Sequence, residues 1–363
     1  MANITGPRRF AIAYNNDNDS EEDIFVYEGW ESSSKMALEK ALEEKMAIFS
    51  LVIYTLVLVT GVMGNGLVIF ITGFQMKKTV HTLWILNLAI ADFTFTFFLI
   101  FNIAYLALGY HWPFGLVMCK LISTVGLLNL YASVYLLLVI SVDRCISVRC
   151  PVWARNHRTP RLASFVVLGV WILALVLCSP NIHLREIRDV QRYDKIKTVC
   201  YLNFHRESEK RKTIHLILVI FRFIFSFVIP FGVVIFSYGA VVLKLRKIRL
   251  SSSNRPFKAI TAVIVAFFIC WVPHRIFLFL ETKAVEEQDL QLMTRIGVPL
   301  TSSLAYFNSC LNPILYVFMG LDFKEKLRCS LFSALENAFT EDSSLGPTNT
   351  KGRLSVELVS QNL

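Results

Sequence analysis

The chain alternates long apolar blocks with short polar ones. Seven blocks approach or exceed the roughly 20 mostly apolar residues that an α-helix needs to cross a hydrocarbon core. They cover residues 47–74, 83–108, 116–148, 162–179, 214–243, 259–280 and 292–318. Seven such blocks in one chain, with few charges inside them, predict an all-α membrane protein, a seven-transmembrane-helix bundle. Residues 1–45 are polar and carry no apolar core of a signal peptide, so the first block is expected to serve as its own insertion signal.

Composition narrows the class. Apolar residues make up 55% of the 363 and charged ones 18%, below the roughly 25% charged of a soluble domain. This argues against a soluble globular chain, a disordered one, a collagen-like one and a small disulfide scaffold. Eight cysteines are too few for a disulfide framework at this length.

The formal charge is +10, which suits either nucleic acid or the anionic cytoplasmic leaflet. Its placement decides for membrane lipid and against nucleic acid. Lys77 and Lys78 follow the first block, Arg149, Arg155, Arg158 and Arg161 the third, and Lys244, Arg246, Lys247, Arg249, Arg255 and Lys258 the fifth. Short basic loops face the cytoplasm, which puts the N-terminus outside and the C-terminus inside. The loop 183–212 is also basic, partly offset by Glu186, Asp189, Asp194, Glu207 and Glu209, and is read as ligand-facing. The outer tail holds two glycosylation sequons, at Asn3 and Asn18. Its acidic residues make either a solvated disordered tail or a surface that steers a basic protein ligand.

An ionisable side chain at bilayer depth costs about 2.5–3.5 kcal/mol on insertion scales and marks a functional candidate. Asp92 lies in the second block and Asp143-Arg144-Cys145 closes the third. Arg222 lies in the fifth, and His274 and Arg275 follow Trp271-Val272-Pro273 in the sixth. Asn308-Ser309-Cys310-Leu311-Asn312-Pro313-Ile314-Leu315-Tyr316 lies in the seventh, and Gly64-Asn65-Gly66 in the first. The set, in this order over about residues 46–335, resembles a rhodopsin-like (class A) G-protein-coupled receptor. Tyr110-His111-Trp112-Pro113-Phe114-Gly115 and the run from Pro151-Val152-Trp153 to Arg158-Thr159 resemble the chemoattractant branch, that of the formyl-peptide, chemerin and prostaglandin chemoattractant receptors.

The resemblance implies a plasma-membrane receptor in four parts. They are an extracellular tail (1–45), the bundle (46–319), an amphipathic membrane-surface helix (320–334) and a cytoplasmic regulatory tail (335–363). It implies a bridge between Cys119 and Cys200, both on the expected outer, oxidising side. It implies that Asp143 pairs with Arg144 at rest, and that on activation Arg144 meets Tyr238 and Tyr316 as the sixth helix swings outward. Trp271 with Pro273 would be the hinge and Phe267 and Pro230 would transmit the repacking, with Val152, Asn312 and Pro313 among the coupling residues. Asp92, Asn129, Ser133, Asn308 and Ser309 would hold either an allosteric sodium ion or bridging water. No other cofactor is implied. Thr340, Ser343 and Ser344 are phosphorylation candidates for arrestin, and Cys329 a palmitoylation candidate.

For the ligand, Arg222 suits a carboxylate through its bidentate fork, with Arg275 or His274 as second contact and Asn102 and Glu281 in the same region. Leu127 and Leu218 stand where formyl-peptide receptors carry an acid and a second arginine, and Ile100 replaces a second-helix proline. The ligand is expected to be a peptide or protein C-terminus, chemerin-like or formyl-peptide-like, or else a fatty-acid-derived lipid mediator. Signalling is expected through an inhibitory-class G protein and arrestin. A non-coupling scavenger is the alternative receptor reading, against which the retained Asp143, Arg144, Tyr238, Asn312 and Tyr316 argue. No internal repeat suggests a transporter, and no HExxH, GxSxG or phosphate-cradling loop suggests an enzyme.

Overall fold

The computed structural model describes residues 24–192, 195–203, 208–248, 255–283 and 288–319. The chain divides into two compact units, Met1–Met46 and Ala47–Leu363. The elements are α1 (Ile24–Phe70), α2 (Val80–Ala107), α3 (Gly115–Arg149), the short α4 (Pro151–His157) and α5 (Pro160–Leu184). A hairpin β1 (Arg185–Arg192) and β2 (Lys195–Leu202) follows, then α6 (Ser208–Phe223), α7 (Ile229–Ile248), α8 (Arg255–Lys283) and α9 (Gln288–Met319). α6 and α7 form one span, joined by a π-helical turn at Ile224–Val228; a second π turn, Ile71–Gln75, ends α1.

The seven expected spans are α1, α2, α3, α5, α6 with α7, α8 and α9. Among the described residues six stretches are long and apolar enough to cross a membrane. α9 adds a 32-residue helix whose polar residues turn inward, since Thr301, Ser302, Ser303, Asn308, Ser309 and Asn312 are all buried. The outward faces are apolar. Phe165, Phe236 and Ile269 are each more than 60% exposed, which in water would be a liability and in a bilayer is the required surface.

The helix ends follow local chemistry. Thr79 caps α2, accepting from the Thr82 amide while the Thr82 hydroxyl accepts from Thr79. Thr159 caps α5 ahead of Pro160 at its first position. α3 runs through the middle of the core, with Tyr131 and Leu136 fully buried.

The outer loop, expected only as a ligand-facing loop, is an antiparallel hairpin with Ile187 opposite Cys200. The Cys119–Cys200 disulfide, Cα atoms 5.7 Å apart, ties it to the top of α3. Trp112 donates its backbone N–H to the Thr198 carbonyl at 2.8 Å, and Lys197 donates to the Gly109 carbonyl. Gly109 and Tyr110 both adopt left-handed backbone there; the Tyr110 ring rests edge-on against Tyr105, which offsets the strain of a side chain in that region.

Candidate functional site

A cavity of about 330 Å³ opens at the end of the bundle that carries the hairpin. Three guanidiniums line it, from Arg185 at the start of β1, Arg222 on α6 and Arg275 on α8, together with Asn102, His274 and Trp271. Arg222 Nη2 donates to Asn181 Oδ1 at 2.8 Å. Arg275 is buried, with its guanidinium carbon 5.4 Å from the centre of the Trp271 ring. Its Nη2 and the Nε of Arg185 are buried without a hydrogen-bond partner. Among the described residues no carboxylate pairs with any of the three. Burial, reinforced by Arg222, pushes Arg185 down to about 10, so it remains a cation at neutral pH. A desolvated cation without a counter-ion is costly, and three in one cavity give its wall a strongly positive character. His274 Nδ1 faces the Thr301 and Ser302 hydroxyls of α9 at 3.5 and 3.4 Å. Glu281 is not on this cavity; it lines a crevice between α6 and α8.

At mid-bundle Asp92 is fully buried. Its Oδ1 accepts from Asn129 at 3.2 Å and its Oδ2 from Asn312 at 2.7 Å. Asn65 donates to the carbonyls of Gly61 and Ser309, tying α1 to α9. Ser133 Oγ and Asn308 Oδ1 are buried without a partner. A buried carboxylate on α2, with unsatisfied hydroxyl and amide oxygens on α3 and α9, is the hard donor chemistry that would suit a small cation such as sodium.

The inner end corrects one expectation. Asp143 does not pair with Arg144. It accepts two bonds from Arg158, Nε to Oδ1 at 2.7 Å and Nη2 to Oδ2 at 2.9 Å. Neighbours at i and i+1 on a helix do not face each other, whereas Arg158, just past α4, brings its fork back onto both oxygens. Arg144 instead lies with Nη2 2.9 Å from His81 Nδ1 on α2. A guanidinium only donates, so this nitrogen is the acceptor and the imidazole is neutral. Tyr238 packs against the core from α7. Phe267 and Trp271 are buried, with rings 5.9 Å apart. Pro273 lies within α8 and Pro313 within α9. Val152 is 75% exposed on α4, where a partner can reach it.

The family described as "7 transmembrane receptor (rhodopsin family)" matches residues 64–316. The chain belongs to that family. It is 44% identical to Chemerin-like receptor 1 of Rattus norvegicus over 330 residues, 86% of each chain. It is 43% identical to Formyl peptide receptor-related sequence 1 of Mus musculus over 320 residues, 86% of this chain and 91% of the other. It is 44% identical to the fMet-Leu-Phe receptor of Macaca mulatta over 307 residues, 82% and 88%. It is therefore a multi-pass membrane receptor of chemoattractant type, not an enzyme, and its class of partners is an extracellular ligand and a G protein.

For a rhodopsin-family receptor the outer cavity and the inner arginine are the two ends that matter. Three of their residues escaped the sequence reading. Arg185 sits in a loop crowded with charges, where nothing singles it out. Arg158 was counted only as a basic loop residue. His81 lies just before the second apolar block, yet a signal exists: it stands eleven positions before Asp92, close to three helical turns, on the same face of α2. Asn3, Asn18, Cys329, Thr340, Ser343, Ser344, the 320–334 helix and the Tyr316 side chain lie outside the described residues.

Proposed function

We propose that this receptor is switched by an extracellular ligand whose carboxylate docks between Arg222, Arg185 and Arg275. The observation that carries the reading is the convergence of three guanidiniums, two with unpartnered nitrogens, on one outer cavity. Leu127 lines that cavity where formyl-peptide receptors carry an acid, so its charge is left to the ligand to neutralise. The N-terminus faces outside, in keeping with the basic odd-numbered loops and with the bridge that ties the hairpin over the cavity. A peptide or protein C-terminus and a lipid acid both offer the required group.

The ligand acts by binding one arrangement of the bundle more tightly than the other. Arg275 lies against Trp271, and Trp271 against Phe267, so an anion that draws on Arg275 shifts the aromatic packing of α8. At the far end Asp143, Arg158, Arg144 and His81 hold the resting contacts whose release opens the inner face to an inhibitory-class G protein, with arrestin following phosphorylation of the tail. Asp92, Asn129, Ser133, Asn308 and Ser309 would hold a sodium ion, which would supply a fixed positive charge opposite Asp92.

The test is Arg222→Ala, with cAMP inhibition read across a panel of carboxylate-bearing peptides and lipids. Truncating one partner of a buried charge pair costs about 2–5 kcal/mol, so potency should fall at least thirtyfold for any true agonist. An agonist acting equally on both forms removes the anchor. Arrestin recruitment without nucleotide exchange would favour the scavenger.

A further inference from the structure

A second cavity, about 500 Å³, lies between α6 and α8. It shares Arg185, Arg222, Arg275 and Leu278 with the first. Beyond the arginines its wall is almost wholly apolar, from Val219, Phe223, Ile276, Phe279 and Leu280. Phe223, Ile276 and Phe279 are also 41%, 54% and 42% exposed, and they belong to spans whose outer faces meet hydrocarbon. The crevice is thus bounded by side chains that look into the bilayer, and it is cationic where it meets the first cavity. Glu281 lies six residues beyond Arg275 on α8, about 9 Å farther along at the helical rise, so on that helix the negative charge is set well apart from the positive one.

The geometry points to an amphiphilic carboxylic acid as the ligand: the head group at Arg185, Arg222 and Arg275, and a hydrocarbon arm in the α6–α8 crevice, reached from the outer leaflet. This rests on the carboxylate anchor proposed above and selects the lipid-derived ligand over the peptide. A peptide C-terminus would need polar partners for its backbone amides along the arm, and the crevice wall beyond the arginines offers almost none. A hydrocarbon arm asks for nothing more than apolar surface, and an acid dissolved in the bilayer already lies against the crevice.

The test uses the full-length receptor in phosphatidylcholine nanodiscs and tritiated saturated acids from decanoic to palmitic, with binding read by scintillation proximity. Affinity should climb with chain length by up to about fourfold per methylene, less what the bilayer itself retains. Val219→Phe should shrink the palmitic-to-decanoic affinity ratio at least tenfold by filling the crevice. Arg222→Ala should weaken every length. Ile276→Trp, on the lipid-facing wall where added bulk disturbs the core least, should slow palmitic acid association and so serves if Val219→Phe does not fold. Affinity that depends on Arg222 but not on chain length, or a ratio unchanged by Val219→Phe with an association rate unchanged by Ile276→Trp, overturns the crevice and leaves the anchor standing. Binding that ignores Arg222→Ala removes the anchor as well. No binding of any acid overturns the inference, as does displacement by phosphatidylglycerol doped into the disc without a chain-length effect, which would assign the crevice to a bilayer lipid.

Discussion

Replacing Arg158 with alanine separates two accounts of the inner face. In one, Asp143 is restrained by its neighbour Arg144, and Arg158 is a dispensable loop cation. In the structure Arg158 supplies both bonds to Asp143, at 2.7 and 2.9 Å, and Arg144 leans on His81. A hydrogen bond to a charged group contributes about 1.5–3 kcal/mol when dry. Here the Arg158 side chain is 29% exposed and that of Asp143 11%, so solvent screening reduces the pair to about 1–2 kcal/mol in all. If the pair belongs to the resting arrangement, its loss should raise ligand-free nucleotide exchange about 5- to 30-fold. The assay is basal exchange on an inhibitory-class G protein, normalised to surface receptor, for Arg158→Ala, Asp143→Asn and the double variant. The two singles should match and the double should add little. A silent Arg158→Ala beside an active Asp143→Asn would return the restraint of Asp143 to another residue and refute the reasoning.

Three further outcomes follow from the geometry. Asp92→Asn should abolish any effect of sodium chloride on agonist affinity, since the amide removes the carboxylate opposite the ion; a sodium effect that persists in the variant would exclude this site. Gly297→Ala should destabilise the receptor in thermal unfolding, because a Cβ there overlaps the Phe277 ring of α8; overpacking of about 1–3 kcal/mol outweighs the roughly 1 kcal/mol gained in helix propensity, and an unchanged midpoint would count against it. Carboxylate affinity should be level from about pH 7 to 8.5, where a carboxylate is ionised and arginine is charged, and then fall as pH rises towards about 10. The sign follows from Arg185, whose lowered value of about 10 means that it loses its cation on the alkaline side; affinity still level at pH 10 would exclude a contribution from that residue.

The spans were legible because lipid imposes one requirement on every outward residue, and a run of about 20 apolar residues meets it without reference to the rest of the fold. The same simplicity hid what lies inside. Arg222 and Arg275 stood out as charges within apolar runs, but nothing local says that Arg222 will find Asn181, forty-one positions earlier on another helix. Arg185 was hidden for the opposite reason: in a loop of many cations, only the hairpin register and the bridge at Cys200 turn this one inward. Asp143 and Arg144 show a different limit. Adjacency in the chain suggested a pair, but consecutive side chains point about 100° apart, and both oxygens of Asp143 are taken by the fork of Arg158 from beyond α4. Asn312, read as a coupling residue, also supplies the second bond to Asp92, so the mid-bundle site and the coupling motif share a residue.

The cavity and the inner face are joined by elements that tolerate two arrangements more readily than a regular helix does. Between Arg222 and Pro230 the backbone widens into the π turn at Ile224–Val228, and the Tyr135 hydroxyl of α3 donates to the Phe225 carbonyl there at 3.0 Å. Such turns recur at functional sites because they can shift register without unravelling the helix. Phe227 and Phe231 then meet Phe268 of α8 edge-on at 5.6 and 4.7 Å, and Phe268 meets Phe267 at 5.6 Å. A ligand drawing on Arg222 therefore loads the π turn, and one drawing on Arg275 loads Trp271; both lead into the same aromatic cluster between α7 and α8. Because a close-packed cluster resists small continuous displacement, the two loads combine into one repacking step rather than two partial ones. On the proposed carboxylate anchor, an agonist would have to engage both arginines, so that the spacing of the two, and not the charge of either alone, would set which carboxylates act.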